Sequence, residues 1–317
     1  MREMILESIR PVIESLEHVW IDENRLRSIA LSLDETILDL PDWSDPIIYP
    51  WDDDGVVPYL LLFNTINFAF WGEDKWRIQY DGKVLDGAFG LMAALTRAVE
   101  EDIPVLDGEY LAEMTEERLG HILRGDGELV LFKERAAILR EVGAVLVEKF
   151  DGSFSRLFAA AKGSATALVR LLVEHFPSFR DVASLDGAEV SFYKRAQLAP
   201  MMIYERYGGR GAGALKDTAE LTVAADYKLP QGLRALKIIG YHDELAGRVD
   251  EMVEIPAGSR EEIEIRAATV WACELMRDCL GGRFGGATSL HVDYYLWSIG
   301  RSGLPVKPYH RTRTIYY

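Results

Sequence analysis

The chain has 317 residues, 49% of them hydrophobic and 27% charged, which is enough to bury a sizeable core in one large domain or two tightly fused ones. A net charge of −16 and a pI near 4.9 repel polyanions and disfavour a long nucleic-acid partner. Two cysteines, Cys273 and Cys279, would point about 240° apart on one helix and cannot bridge locally, and no segment has the apolar length of a signal peptide or membrane span, so a soluble cytoplasmic protein is expected.

Ile5, Ile9, Val12, Leu16 and Val19 recur at spacings of three and four and predict a helix running to about Trp20. Asp22 is placed to cap a second helix with Leu26, Ile29, Ala30 and Leu33 on its inner face. Between Pro41 and Pro58, the density of Pro, Asp and Trp breaks any periodicity, and Asp52, Asp53, Asp54 and Gly55 form a turn. A loop suited to cover a site is expected there. From Tyr59 to Trp71 the chain is apolar on all sides except at Asn64, Thr65 and Asn67, so it must be buried. Trp76, Ile78 and Tyr80 alternate ahead of Asp81-Gly82 and predict a small β-hairpin near 76–84, an insertion in a helical frame.

The helical period returns over 89–99, 111–123, 133–150, 153–161 and 164–176, joined by the short links of packed helices. An irregular stretch from Tyr207 to Asp217 carries Gly208, Gly209, Gly211 and Gly213, and a long helix from Arg260 to Leu280 ends at Gly281-Gly282. The expected architecture is mainly α: one domain over 1–317, built as a single globule or as two helical lobes with a cleft between them.

Standard metal and serine-hydrolase signatures are absent, and the six histidines are scattered singly. The glycines at 208–213 lack the Lys-Ser/Thr ending of a phosphate loop and read as a flexible connection. Three segments carry chemistry. In Val223-Ala-Ala-Asp226-Tyr227-Lys228-Leu229-Pro230 a carboxylate follows small apolar residues; it reads either as a helix cap or as a partly buried catalytic acid. In Val190-Ser-Phe-Tyr-Lys194-Arg195 two cations follow aromatics, either snorkelling from a surface helix or buried against Asp226 or a ligand. After Asp293 no acidic residue occurs, while Arg301, Lys307, His310, Arg311 and Arg313 interleave with Tyr309, Tyr316 and Tyr317. Such an end reads as an ordered anion site or as a disordered basic tail.

Together these segments resemble the queuosine salvage proteins over nearly the whole chain. The blocks that carry the resemblance are Thr65-Ile-Asn-Phe-Ala-Phe-Trp71, Leu146-Val-Glu-Lys-Phe150 with Gly152-Ser-Phe154, Phe176-Pro-Ser-Phe-Arg-Asp-Val182 and Ser191-Phe-Tyr-Lys-Arg-Ala-Gln197. Ala225-Asp-Tyr-Lys-Leu-Pro-Gln231, Asp293-Tyr-Tyr-Leu-Trp297 and His310-Arg-Thr-Arg-Thr-Ile-Tyr-Tyr317 complete the set, and Asn64 stands where other members can carry Asp.

The resemblance implies an N-ribosyl hydrolase that releases queuine from queuosine 5′-monophosphate, on a helical core similar to that of the DNA glycosylases. It places Asp226 and Lys194 in the active site. Phe68, Phe70, Trp71 and Tyr227 would surround the flat deazapurine, Asn67 would read a base edge, and His310, Arg311 and Arg313 would hold the 5′-phosphate. It implies no metal or organic cofactor, no membrane and no obligate protein partner, only the nucleotide and its base product. The competing readings are a non-catalytic nucleotide-binding helical protein and a nucleic-acid base glycosylase. The second would need a broad basic face, which the net charge of −16 opposes.

Overall fold

The structure is a computed structural model in which residues 1–41, 43, 55–300 and 305–317 are described. The amino-terminal half comprises helix α1 (Arg2–Glu14), strand β1 (Val19–Ile21), α2 (Glu23–Ser32), α3 (Val56–Ile66), strands β2 (Arg77–Tyr80) and β3 (Lys83–Asp86), α4 (Gly87–Glu100), α5 (Gly108–Ala112), α6 (Glu116–Ile122) and α7 (Phe132–Lys149). The remainder comprises α8 (Phe154–Ala160), α9 (Ala165–His175), β4 (Val182–Leu185), β5 (Ala188–Ser191), α10 (Lys194–Arg206), α11 (Lys228–Ala235), β6 (Ile239–Tyr241), α12 (Asp243–Asp250), α13 (Arg260–Gly281) and α14 (Ser289–Ile299). The fold is mainly helical, and its described strands form three antiparallel pairs, β1 with β6, β2 with β3 and β4 with β5.

Helix α1 buries Ile5, Leu6, Ile9 and Val12 on one stripe, but it ends well before Trp20, so the expected longer helix is corrected. The amides of Glu17, His18 and Val19 all donate to the buried carboxylate of Glu264 on α13, at 3.0, 2.7 and 3.2 Å. Those N–H groups are thereby lost to a continuing helix, and residues 19–21 pair with 239–241 instead. Asp22 caps α2 as expected, accepting from Arg25 N at 2.8 Å.

The stretch expected to form a covering loop lies, for residues 42 and 44–54, outside the described residues; Val56, Val57 and Pro58 belong to α3. Every residue of α3 is buried, in keeping with an apolar helix at the centre of the fold. The β2–β3 hairpin turns on Asp81 and Gly82, both with positive φ (47° and 71°), the geometry that an Asp-Gly turn supplies. The helix expected over 111–123 is broken into α5 and α6, because Thr115 caps a fresh start by accepting from Arg118 N at 3.0 Å. One apolar core links residues from Ile5 to Ile299.

Candidate active site

A cavity of about 310 Å³ lies between the end of α3, the β3–α4 junction, α10, the segment entering α11, and α14. From α10 it receives Lys194, Leu198, Met201, Met202 and Glu205, spaced so that they share one helical face.

The start of α10 is set by Asp181. Its carbonyl accepts from Phe192 N and Tyr193 N at 3.0 and 3.1 Å, and its Oδ2 accepts from Lys194 N at 3.0 Å. Both Asp181 oxygens are in turn gripped by the Arg266 guanidinium, at 2.9 and 2.6 Å, a two-pronged pairing that fixes direction as well as charge. Lys194 is therefore not a surface lysine with a snorkelling stem: it is 4% exposed and lines the cavity. Burial holds its ammonium below the usual lysine value, while Asp226 pulls in the opposite direction.

Asp226 is both a cap and a partly buried carboxylate. Its Oδ1 accepts from Lys228 N at 2.6 Å and Leu229 N at 3.3 Å, capping α11, and the residue lines the cavity half-buried. Asp293 on α14 is a second carboxylate there, with its Oδ2 accepting from Ala224 N at 2.7 Å. Burial pushes its carboxyl up to about 7, partly offset by the Ala224 amide, and Asp226 raises it further. A third carboxylate, Glu205, is pushed up to about 8 by burial, against the hydrogen bond that it accepts from Trp43 Nε1 at 2.7 Å.

Asn67, Phe68, Phe70 and Tyr227 all reach the cavity with Asp226 and Lys194. Tyr227 stacks on Tyr309, with ring centroids 4.5 Å apart. The guanidiniums of Arg135 and Arg195 lie 4.1 and 5.1 Å from the centroid of Phe68, so at least part of that ring is already engaged. Arg195 donates to the carbonyls of Asn64, Thr65 and Ser178, and Arg135 to those of Phe68, Ala69 and Val130. Both cations thus satisfy the carboxyl end of α3 and the strap after it, where orphan carbonyls and the helix dipole favour positive charge.

Trp71, His310, Arg311 and Arg313 are not brought to the cavity wall. Trp71 packs with Val130, Tyr227 and Tyr317, and Arg313 and Arg311 lie 5.3 and 5.9 Å from its ring centroid. Arg313 is held by Glu254 at 2.8 Å, and Arg311 Nη2 approaches Met252 Sδ at 3.1 Å. His310 is 1% exposed, its Nε2 is 3.3 Å from Tyr317 Oη, and burial drives its imidazole down to about 3. The tail is ordered: Ala69 N donates to Tyr317 O at 2.9 Å and Ile255 N to Arg311 O at 2.7 Å. Its contribution to the wall is aromatic, through Tyr309 and Tyr317.

Sequence reasoning did not assign Asp293, Glu205, Trp43, Trp297, Lys75 and Lys228 to the site, yet all line the cavity. Asp293 and Lys228 stood inside resembling blocks and were legible there. Glu205 carried a weaker signal, its place eleven residues after Lys194 on the same helical face. Among the described residues no group of three or more His, Cys, Asp and Glu is arranged to hold a metal ion.

The family described as queuosine salvage protein matches residues 48–317. A protein named queuosine 5′-phosphate N-glycosylase/hydrolase from Sphaerobacter thermophilus is 44% identical over 99% of this chain and 97% of its own length. One of the same name from Bos taurus is 36% identical over 98% of each chain, and one from Schizosaccharomyces pombe is 27% identical over 82% of this chain and 79% of its own.

Proposed function

We propose, because this chain belongs to the queuosine salvage protein family, that its cavity hydrolyses the N-glycosidic bond of queuosine 5′-monophosphate and releases queuine. The observation that carries the chemistry is Asp226, fixed at the cavity wall by two backbone amides with Lys194 and Asp293 beside it. Both amides bond Oδ1, which leaves Oδ2 to act on the ligand.

As the ribosyl C–N bond breaks, its electron pair leaves with the base and positive charge builds on the sugar. A carboxylate held across that charge stabilises it without reorganising. Asp226 takes this role and accepts the proton of the water that adds to the sugar carbon. Queuine is a 7-deazapurine, so the ring nitrogen on which ordinary purines are protonated is a carbon. Of the two carboxylates beside Lys194, Asp293 is the one that can carry a proton at neutral pH, since burial pushes it up to about 7, and it supplies the proton the departing base takes up. Lys194 balances the two carboxylates. Asn67 reads a base edge, and the ring of Tyr227, backed by Tyr309, stacks on the base.

The 5′-phosphate lies at the mouth beside Lys75 and Lys228, which line the cavity and repel each other electrostatically. The helical frame is read as a DNA glycosylase-like core turned to a small nucleotide. Among the described residues no helix is long and apolar enough to cross a membrane.

Incubation of the protein with queuosine 5′-monophosphate, followed by mass spectrometry, should detect free queuine and ribose 5-phosphate. Asp226→Asn should keep the fold and nucleotide binding but lose about 10²-fold or more in kcat, the scale of a positioned acid–base or electrostatic group. A folded variant with the parent kcat would remove Asp226 from the mechanism.

A further inference from the structure

The hydrolysis derived above makes no use of Glu205, although its position is a costly one. It is 8% exposed and shares the cavity wall with Met201, Met202, Phe63 and Met92. The one described hydrogen bond of its carboxylate comes from Trp43 Nε1 at 2.7 Å. The charged group acting on it is Asp293, which is itself an anion when ionised. Among the described residues no cation acts on Glu205; a carboxylate set among thioethers and rings in that way is unstable as an ion, and a ligand that brings a cation relieves that.

The place of Glu205 along the cavity also fits a ligand contact. It lies eleven residues after Lys194 on α10, or about 16 Å along the helix axis. Asp293, which lines the same cavity, acts electrostatically on both residues. Beside Glu205 the rings of Trp43 and Trp297 stand 5.9 Å apart between centroids, tilted by 59°. An ammonium group is well matched to tryptophan faces next to a carboxylate, because ring quadrupole and carboxylate attract it together. Queuine, the base released in the proposed reaction, carries at its 7-position an aminomethyl arm whose secondary amine is protonated at neutral pH.

We propose that Glu205, oriented by Trp43, receives the protonated amine of the 7-substituent and makes the enzyme selective for cationic over neutral 7-deazapurines. This rests on the queuosine 5′-monophosphate reading and names the contact that would recognise its arm. It has a proton signature: a carboxyl that is protonated in the free protein and ionised against the ammonium releases a proton on binding.

The test uses the full chain and two free bases, queuine and the uncharged 7-cyano-7-deazaguanine, by titration calorimetry in two buffers of different ionisation enthalpy at pH 7. The wild type should prefer queuine by roughly 10- to 100-fold, the range of one charge-assisted hydrogen bond, and should release up to one proton with queuine and none with the cyano base. Glu205→Gln preserves volume and the acceptor for Trp43. It should abolish the preference and the proton release while leaving cyano-base affinity within about threefold, well under one such bond. Parallel loss of both bases in a variant with an unchanged melt would show a structural role and overturn the proposal. Should the variant not fold, a wild type with no preference and no proton release overturns it equally. Wild-type hydrolysis of queuosine 5′-monophosphate is measured alongside, so absence of turnover indicts the proposed reaction, whereas lack of discrimination between bases indicts Glu205.

Discussion

Lys75 and Lys228 both line the cavity, and the first lowers the affinity of the second for its proton, against the pull of Asp226 and Asp86. Burial is the larger cause of that lowering, and a dianionic phosphate beside both would reverse it. Lys75→Gln and Lys228→Gln should each reduce kcat/KM for the monophosphate by roughly 10-fold or more, the worth of a charge-assisted bond, and change hydrolysis of the unphosphorylated nucleoside little. Arg311→Gln and Arg313→Gln should leave the ratio of the two substrates as it was, because Arg313 serves an exposed ion pair with Glu254 and Arg311 lies against Met252 and Trp71. The opposite pattern in steady-state kinetics would return the phosphate to the tail. The residue-level reading was therefore uneven for a physical reason. Asn67, Phe68 and Phe70 sit in a segment whose apolar neighbours already force them inward, and Asp226, Lys194 and Tyr227 stand in the resembling blocks. The destination of a tail arginine depends instead on a carboxylate 59 residues away, which no local pattern reveals.

Helices α11 and α14 carry two cavity carboxylates toward each other, Asp226 at the head of one and Asp293 on the other. Their approach depends on Gly232: a Cβ there would fall 2.8 Å from Leu296 O, closer than real side chains come to a backbone oxygen. Gly232→Ala should push the helices apart. The expected result is a loss of about 1–3 kcal/mol of stability, as overpacking gives, and a kcat reduced by about tenfold or more, because small misplacements of reacting groups are magnified in rate. Urea denaturation together with turnover would check both, and an undiminished kcat would show that this contact does not align the carboxylates. At this scale the chain punctuates itself clearly where the signal is local. The Asp81-Gly82 hairpin is legible for that reason, and Asp186-Gly187 builds the same turn between β4 and β5 with φ of 52° and 84°, although that hairpin was not read in advance. The end of α1 was illegible, since it is imposed by Glu264 from the far end of the chain.

The whole molecule carries a net charge of −16, and several of its cations are spent internally. Arg135 and Arg195 are buried on carbonyls and Arg266 on Asp181, while Arg313 pairs with Glu254 at the surface. A basic face able to track a polymer backbone is not what such an arrangement builds. Gel-shift experiments at about 50 mM salt should find no binding of tRNA or duplex DNA at about 10 μM protein, concentrations where nonspecific binders saturate. A shift that dissolves with added salt would revive the polymer glycosylase reading.

Helical class, the burial of the segment 59–71 and the 76–84 hairpin were determined by the sequence itself, because periodicity, Asp-Gly turns and runs of apolar neighbours act within a few residues of chain, whereas for Asp226 and Lys194 the sequence left an outer and an inner place open. Tertiary structure alone decided where α1 stops, which carboxylates meet across α11 and α14, and that Glu205 and Trp43 pair at the cavity wall while His310, Arg311 and Arg313 stay outside it. Each of these is a choice among partners far apart in sequence, made by whichever hydrogen bond or ion pair best offsets the cost of burying a polar group.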